Sequence, residues 1–163
     1  MKKLIIMRHG KSSWDNAYLD DYDRPLNERG KKNSLEMGHF LFQESGKPEL
    51  ILASAAKRTH ETAMLAALSL DYPQDKIEFD RELYLADVND ILKNVAKIPG
   101  NINTCVLIGH NPGLTNLINY FGLKLDNLPT ASVVCMEFDT LTWKEISPKN
   151  AHFQWLKLAR DFR

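Results

Sequence analysis

Short apolar runs recur along most of the chain and alternate with longer amphipathic segments. Residues 4–7, 50–53 and 104–108 are continuous apolar runs, which is typical of strands buried on both faces of a sheet. Residues 76–79 predict a further, shorter strand. Polar or turn-forming residues follow each run, so the pattern predicts buried strands separated by helices.

The segments between these runs carry apolar residues at the spacing of amphipathic helices. Asn27 and Asp87 are predicted to cap the first and third of these helices. Asn111-Pro112 is predicted to begin the fourth helix, and Gly122 to end it. The predicted apolar faces comprise Leu35, Gly38, Leu41 and Phe42; Ala63, Ala67 and Leu70; Val88, Ile91, Leu92 and Val95; and Leu114, Leu117, Ile118 and Phe121.

The C-terminal part of the chain changes from this alternation to β-rich runs. Residues 132–138 and 141–146 predict a hairpin around Asp139-Thr140, and residues 152–158 predict a further strand. The complete order predicts a three-layer α/β/α sandwich, with a mostly parallel central sheet and helices on both faces. The C-terminal strands are expected to add an antiparallel edge. Since no repeat, linker or low-complexity tract interrupts it, residues 1–163 are expected to form a single domain.

Composition adds information on partners and compartment. Lys and Arg number 21 and Asp and Glu also number 21, so a net charge of zero predicts no general attraction to nucleic acid or to a membrane. Cys105 and Cys135 lie inside apolar runs and are expected to be buried thiols rather than a disulfide or a ligand pair. No apolar segment is long enough for a membrane span or a signal peptide, so a cytoplasmic protein is expected.

The candidate chemistry lies where the buried strands end. Arg8 and His9 follow the first strand, and His110 follows the strand over residues 104–108. Arg58 stands near the start of the helix that follows the second strand. Because parallel strands place their carboxyl ends on one edge of a sheet, these side chains are expected to converge. Two guanidinium forks and two imidazoles are suited to hold and attack a phosphoryl group, and Ser12 is a further candidate to bind it.

Several ordered motifs resemble the histidine phosphatase (phosphoglycerate mutase-like) superfamily. They are residues 4–10 with Arg8-His9-Gly10, Ser54 with Arg58 and Thr62-Ala63, and Gly109-His110-Asn111-Pro112. Residues 11–14, 23–30, 83–84 and 128–130 also resemble the small SixA-like branch of phosphohistidine phosphatases. The resemblance covers most of the chain, and the order and spacing of the motifs make it far more specific than Arg-His-Gly alone.

The resemblance implies a role for each of the four residues at the strand ends. His9 would be the nucleophile that accepts the phosphoryl group, Arg8 and Arg58 would hold its oxygens, and His110 would be the second histidine of the pocket. The two arginines should also lower the pKa of His9 and keep a ring nitrogen free at neutral pH. Because arginines can stabilise the charge of the transition state, neither a metal nor a cofactor is required.

The motifs that carry the resemblance do not include a proton donor. Relatives that cleave phosphate esters place an acidic residue in the middle of the chain, and Glu82 is the candidate here. An alkoxide leaves poorly without a proton, because the pKa of its conjugate acid is near that of water, about 15.7. The conjugate acid of imidazole has a pKa of about 6.5, so imidazole leaves with little help from an acid. The lack of a dependable general acid therefore favours phosphohistidine as the substrate. A chain of 163 residues leaves little length for a lid over the pocket, which favours a phosphohistidine carried on a protein.

The sequence leaves several functions open. The first is a phosphohistidine phosphatase acting on a phosphorylated protein, such as a histidine-phosphotransfer domain or a phosphocarrier. The second is a phosphatase of small phosphoesters, which Glu82 in the pocket would favour. The third is a phosphate- or phosphoprotein-binding module without turnover, against which His9 and His110 argue. A zinc enzyme using His9, His60 and His110 lacks a carboxylate or thiolate at ligand spacing, and His60 is expected at the surface.

Overall fold

Six strands form one sheet in the computed structural model, which describes residues 1–162. The strands are β1 (Lys2–Arg8), β2 (Leu50–Ser54), β3 (Glu78–Asp80), β4 (Thr104–Gly109), β5 (Val133–Phe138) and β6 (Ala151–Lys157). Their order across the sheet is β3-β2-β4-β1-β5-β6. The first four run parallel, and β5 and β6 add the antiparallel edge that the sequence predicted.

Four helices cover the two faces of this sheet. They are α1 (Glu28–Ser45), α2 (Lys57–Ser69), α3 (Val88–Ala96) and α4 (Gly113–Tyr120). The core on one face joins α1 and α2 to alternate residues of the central strands, such as Ile5 and Met7. The core on the other face joins α3 and α4 to the intervening residues, such as Leu4 and Ile6. Since every β1 side chain from Leu4 to Met7 is buried, the predicted three-layer α/β/α sandwich is confirmed.

Two expectations about the C-terminal part of the chain were wrong or incomplete. Residues 141–146 do not form a strand, and the partner of β5 is β6, so the hairpin connection runs over residues 139–150. The reason is Trp143, which is fully buried and whose indole N–H donates to the Ile102 carbonyl oxygen at 2.8 Å. This contact ties the segment to the loop before β4 as a single 3-10 turn, Trp143–Glu145.

The buried face of α1 also differs from the predicted one. Leu35 and Phe42 are 38% and 43% exposed, whereas Gly30, Ser34 and Met37 are buried beside the expected Gly38 and Leu41. Gly38 allows α1 to lie close against α2, and Gly30 allows it to lie close against the turn after β1, so shape outweighs side-chain hydrophobicity at these contacts. Asn27 caps α1 as predicted, because its side-chain oxygen accepts the Gly30 amide at 2.8 Å.

Both cysteines are free and buried, as expected. Burial raises the pKa of the Cys135 thiol to about 12 and also raises the pKa of Cys105. Across residues 1–162, no helix combines the length and the apolar character needed to cross a membrane.

Candidate active site

A cavity of about 310 Å³ opens at the carboxyl ends of β1 and β4, beside the start of α2. Its lining includes all four residues that the sequence analysis assigned to the chemistry, Arg8, His9, Arg58 and His110. The parallel register explains the convergence, because Arg8 pairs with Gly109 and each strand is followed at once by a histidine. The ring centroids of the two histidines are 5.4 Å apart. The remaining lining residues are Lys11, Ser12, Trp14, Arg24, Asn111 and Thr130.

A larger cavity of about 710 Å³ lies beside the segment from Ser13 to Arg29 and has none of these four residues in its lining. It has no histidine and no buried cation, so the smaller cavity holds the candidate chemistry.

His9 is buried and fixed by the chain on both sides. Its Nδ1 lies 2.7 Å from the carbonyl oxygen of Gly10. Since a carbonyl oxygen can only accept, Nδ1 carries the hydrogen and the lone pair of the neutral ring is on Nε2. The Gly10 amide donates to Thr62 Oγ1 at 3.0 Å, which ties the turn after β1 to α2. A backbone contact therefore determines which ring nitrogen of neutral His9 carries the lone pair.

His110 is also buried, with Nε2 2.8 Å from Ser54 Oγ. Ser54 Oγ accepts the Ala56 amide at 3.3 Å, which favours donation of its hydroxyl hydrogen to His110. In that tautomer His110 Nδ1 carries a hydrogen. This nitrogen is buried without a hydrogen-bond partner among the described residues, as is Nε of Arg8. Buried donors without partners are costly, so both are suited to an anion entering the cavity.

The environment keeps both histidines neutral. Burial is the main cause that lowers the pKa of His9 to about 4, and the nearby guanidinium groups of Arg58 and Arg8 lower it further. Burial, followed by His9 and Arg58, lowers the pKa of His110 to about 3. At neutral pH both rings are uncharged, as the sequence analysis expected for His9. A neutral His9 keeps the lone pair that attack on phosphorus requires.

Asp21 organises the guanidinium group of Arg58. Arg58 Nη1 donates to the Asp21 carbonyl oxygen at 2.6 Å, and Nη2 donates to Asp21 Oδ2 at 3.0 Å. The Tyr84 hydroxyl donates to the same Oδ2 at 2.5 Å. The Tyr84 hydrogen bond and then Arg58 lower the pKa of Asp21 to about 2. Asp21 is therefore an ionised acceptor at neutral pH and has no proton to give.

Arg24 adds a third guanidinium to the cavity wall. It is buried, and it donates to Ser12 Oγ, to the Ser13 carbonyl oxygen at 3.2 Å and to Asp21 Oδ1 at 3.0 Å. The Trp14 ring covers it, with 3.3 Å between the guanidinium carbon and the ring centroid. The loop before α1 thus contributes a positive charge that is held in place.

Of the three further residues that the sequence singled out, Ser12 lies in the cavity wall, whereas Glu82 and His60 lie outside it. Ser12 lines the cavity and contacts Arg24, as its candidate role requires. Glu82 is exposed on the 3-10 turn Arg81–Leu83 and is not among the lining residues. His60 is exposed and stacks on Phe79, with centroids 4.4 Å apart, so its expected surface position is confirmed. The three histidines of the zinc alternative do not converge.

Sequence reasoning missed the roles of Arg24, Asp21 and Tyr84. All three lie in segments without helical or strand periodicity, so no pattern assigned their side chains to the cavity. The one available signal was that Arg24 and Tyr84 belong to the motifs that resemble the SixA-like branch. Asp21 follows Asp20 and precedes Asp23 by two positions, and the sequence does not distinguish these carboxylates.

Over residues 1–162, no group of three or more His, Cys, Asp or Glu side chains has an arrangement that could hold a metal ion.

Comparison with known proteins agrees with this geometry. Residues 4–97 match the family model of the histidine phosphatase superfamily (branch 1). An uncharacterized chloroplastic protein of Arabidopsis thaliana is 28% identical over 152 residues, which are 88% of this chain and 70% of that protein.

Solved structures share the fold over almost the whole chain. The protein histidine phosphatase SixA complexed with tungstate has a TM-score of 0.83 at 22% identity and covers 99% of both chains. A mycobacterial glucosyl-3-phosphoglycerate phosphatase complexed with VO3 has a TM-score of 0.70 at 14% identity, over 97% of this chain and 100% of that chain. From the family match and the cavity together, the chain belongs to the histidine phosphatase superfamily, and the enzyme is a phosphatase of that superfamily.

Proposed function

We propose that this phosphatase hydrolyses phosphohistidine carried on a protein, through a phospho-His9 intermediate and without a metal. The observation that carries the proposal is the composition of the cavity. It combines a neutral histidine with Arg8, Arg24 and Arg58, and none of its lining residues is a carboxylic acid. Such a site can accept a phosphoryl group but offers no strong proton donor.

The first step is an in-line transfer. His9 Nε2 attacks phosphorus as the phosphorus–nitrogen bond of the substrate breaks, and the substrate ring, already protonated by solvent on its other nitrogen, leaves as neutral imidazole. The positive charge that develops on the His9 ring strengthens its Nδ1–H hydrogen bond to the Gly10 carbonyl oxygen. Water then attacks phospho-His9, which releases inorganic phosphate and restores neutral His9.

Cationic and neutral donors stabilise the transferring group. Arg8 and Arg58 carry fixed charge near the equatorial oxygens, in a site that is largely buried. Nδ1 of His110 and Nε of Arg8 are buried donors without partners, and phosphoryl oxygens would satisfy both. We infer that these contacts strengthen as charge accumulates in the transition state.

The leaving group decides between phosphohistidine and phosphate esters. Neutral imidazole, whose conjugate acid has a pKa of about 6.5, departs with little assistance. An alkoxide, whose conjugate acid has a pKa of about 15.7, needs an acid. Asp21 is held ionised by Tyr84 and Arg58, and Glu82 lies outside the cavity lining. The available groups therefore favour cleavage of a phosphorus–nitrogen bond.

Hydrolysis of small phosphoesters is the second candidate. The structural similarity to a glucosyl-3-phosphoglycerate phosphatase supports it, since that enzyme uses the same fold. In this alternative Glu82, or water, would supply the proton. A phosphate- or phosphoprotein-binding module without turnover is the remaining alternative. The expected partner stays a histidine-phosphotransfer domain or a phosphocarrier, and the cytoplasmic location stays a prediction.

A comparison of matched substrates tests the proposal. One peptide carries phosphohistidine, a second carries phosphoserine at the same position, and p-nitrophenyl phosphate is the small ester, all with chelator present. We expect kcat/KM for the phosphohistidine peptide to exceed that for phosphoserine by at least about a hundredfold, because only the ester needs an acid. Faster cleavage of the phosphoserine peptide overturns the proposal, and complete loss of turnover in chelator implicates a metal.

Two variants complete this test. His9→Ala should abolish turnover of every substrate, whereas His60→Ala should retain the native rate because His60 lies outside the cavity lining. An unchanged rate in His9→Ala removes His9 from its role. A large loss in His60→Ala favours the zinc alternative.

A further inference from the structure

A second cavity of about 250 Å³ adjoins the candidate active site. Lys11 and Thr130 line both cavities, so the two share part of their walls. Lys11, Arg29 and Arg160 give it three cations, and we call it the basic cavity. Its other lining residues are Asn33, Pro129, Thr130, Ser132, Leu158 and Ala159.

All charged residues that line the basic cavity are cations, while Glu28 and Glu36 line a neighbouring cavity that shares Arg29. None of its lining residues is acidic, and Lys11, Arg29 and Arg160 form no ion pair with any of residues 1–162. Lysines and arginines equal aspartates and glutamates in number over the whole chain, so this concentration is local. The walls of the two cavities together carry six cations and no carboxylate. A surface of this kind attracts an extended anion.

The backbone on one side of the basic cavity is held firmly. The Asn27 amide donates to the Lys11 carbonyl oxygen at 2.9 Å, which joins the turn after β1 to the start of α1. A Cβ atom at Gly30 would lie 2.2 Å from that oxygen, so only glycine allows α1 to approach so closely. Lys11 and Arg29 are thus brought side by side.

The C-terminal segment closes the other side. The Ala159 amide donates to Ser132 Oγ at 3.1 Å, and the Leu158 amide donates to Asp161 Oδ2 at 3.2 Å. These contacts fix the backbone around Arg160, which follows β6, beside the start of β5. Because three separate segments supply the cations, their arrangement depends on the fold and not on a local run of basic residues.

We propose that the basic cavity binds acidic side chains that flank the phosphohistidine of the substrate protein, a proposal that rests on the proposed function above. The three cations are exposed, unlike the buried Arg24 and Arg58 of the first cavity. Long, exposed cations match carboxylates spread over a protein surface. A compact second phosphate would be better held by buried guanidinium groups like those beside His9.

The test separates binding from turnover. Two peptides contain the same stable phosphohistidine analogue, phosphoryltriazolylalanine, flanked by glutamates in one and by serines in the other. Binding is measured by fluorescence anisotropy at low salt. The native enzyme should bind the glutamate peptide about tenfold more tightly, and the difference should shrink as NaCl rises. Equal binding of the two peptides overturns the proposal.

Matched double variants locate the effect. Arg29→Glu with Arg160→Glu should abolish the preference for glutamate, while kcat/KM for p-nitrophenyl phosphate stays within about twofold of native. Lys93→Glu with Lys97→Glu makes the same charge change at exposed positions of the α3 region, on the other face of the sheet, and should leave the preference intact. A preference that survives the first pair, or is lost in the second, overturns the proposal.

Two further arms separate the possible causes of failure. Turnover of the serine-flanked peptide, made with genuine phosphohistidine, reports on the proposed function alone. If it is not cleaved while the glutamate analogue still binds preferentially, the proposed function fails and the basic cavity remains an acidic-peptide site. If a small bisphosphate competes more strongly than the glutamate peptide, the cavity belongs to a second phosphate and the proposal is overturned.

Discussion

The reactive form of His9 depends on one hydrogen bond and on burial. The Gly10 carbonyl oxygen fixes the hydrogen on Nδ1, and the buried, cationic surroundings oppose a second proton. A surface histidine has a pKa of about 6.5 and is partly protonated near neutral pH. Lowering the pKa of His9 to about 4 keeps its ring neutral, as the proposed nucleophilic role requires, over the physiological range.

The protonation state of His9 can be measured directly. In ¹⁵N-labelled enzyme the ring nitrogens of His9 should show the neutral form with hydrogen on Nδ1 from pH 8 down to about 5, because the pKa lies near 4. Histidine in the same buffers is the reference, and His9→Ala assigns the signals. A His9 ring that titrates with free histidine would contradict this description of the site.

Asp21 acts on the chemistry through Arg58. Asp21→Asn removes the negative charge that accepts from Arg58 and Tyr84, so the guanidinium loses its fixed orientation. We expect kcat/KM to fall about tenfold or more, mainly through kcat, since the loss is felt most in the transition state. Asp20→Asn, at an exposed neighbouring position, is the matched control and should be nearly neutral. Equal effects of the two substitutions would remove Asp21 from this positioning role.

Among the helices, α1 and α2 depend on close backbone approach. A Cβ atom at Gly38 would lie 2.7 Å from the Ala66 carbonyl oxygen and 2.9 Å from Ser69 Cβ. Backbone atoms cannot give way cheaply, so an added methyl group must push the helices apart. The α1–α2 layer supports the start of α2, where Arg58 lies.

Substitution at Gly38 tests this contact. Gly38→Ala should lower the free energy of unfolding by about 1–3 kcal/mol, the usual range for overpacking, although alanine is the better helix former. Chemical denaturation measures the change. Gly100→Ala is the control, since the nearest atom to its Cβ would be 4.0 Å away. A Gly38→Ala variant as stable as the native enzyme would show that the helices can separate at no cost.

Secondary structure was predicted correctly where a continuous apolar run identifies a buried strand. It was predicted wrongly where one tertiary contact determines the conformation of a segment. The apolar runs marked β1, β2 and β4 because both faces of a central strand are buried. Residues 141–146 carry apolar residues only at Leu141, Trp143 and Ile146, and the burial of Trp143 turns them into a loop. The sequence does not show which backbone carbonyl will accept the indole N–H, so this outcome requires the tertiary structure.

At the level of the whole molecule, the topology assembles the site. The parallel order of β1, β2 and β4 places the ends of all three strands on one edge, so the convergence of His9, Arg58 and His110 was predictable. Arg24 and Asp21 reach the same edge from a loop without periodicity. Their positions depend on Arg58 and Ser12, which they contact from far along the chain.

The shape of the molecule also bears on the substrate. The cavity that holds His9 adjoins the basic cavity, and the exposed Trp14 lines the first of these depressions. A protein side chain can enter such a depression while neighbouring residues of the same protein contact its walls. This arrangement connects the proposed phosphohistidine chemistry to a phosphoprotein substrate.

Transfer of phosphate from a phosphoprotein to His9 directly tests whether hydrolysis proceeds through a phospho-His9 intermediate. A histidine-phosphotransfer domain carrying ³²P-phosphohistidine is mixed with excess enzyme, quenched in alkali within milliseconds, and mapped by mass spectrometry. We expect transient label on His9 that decays as inorganic phosphate appears. A His9→Ala variant should carry no label and release no phosphate. Release of phosphate by the native enzyme at the full rate, with label never found on His9, would contradict it.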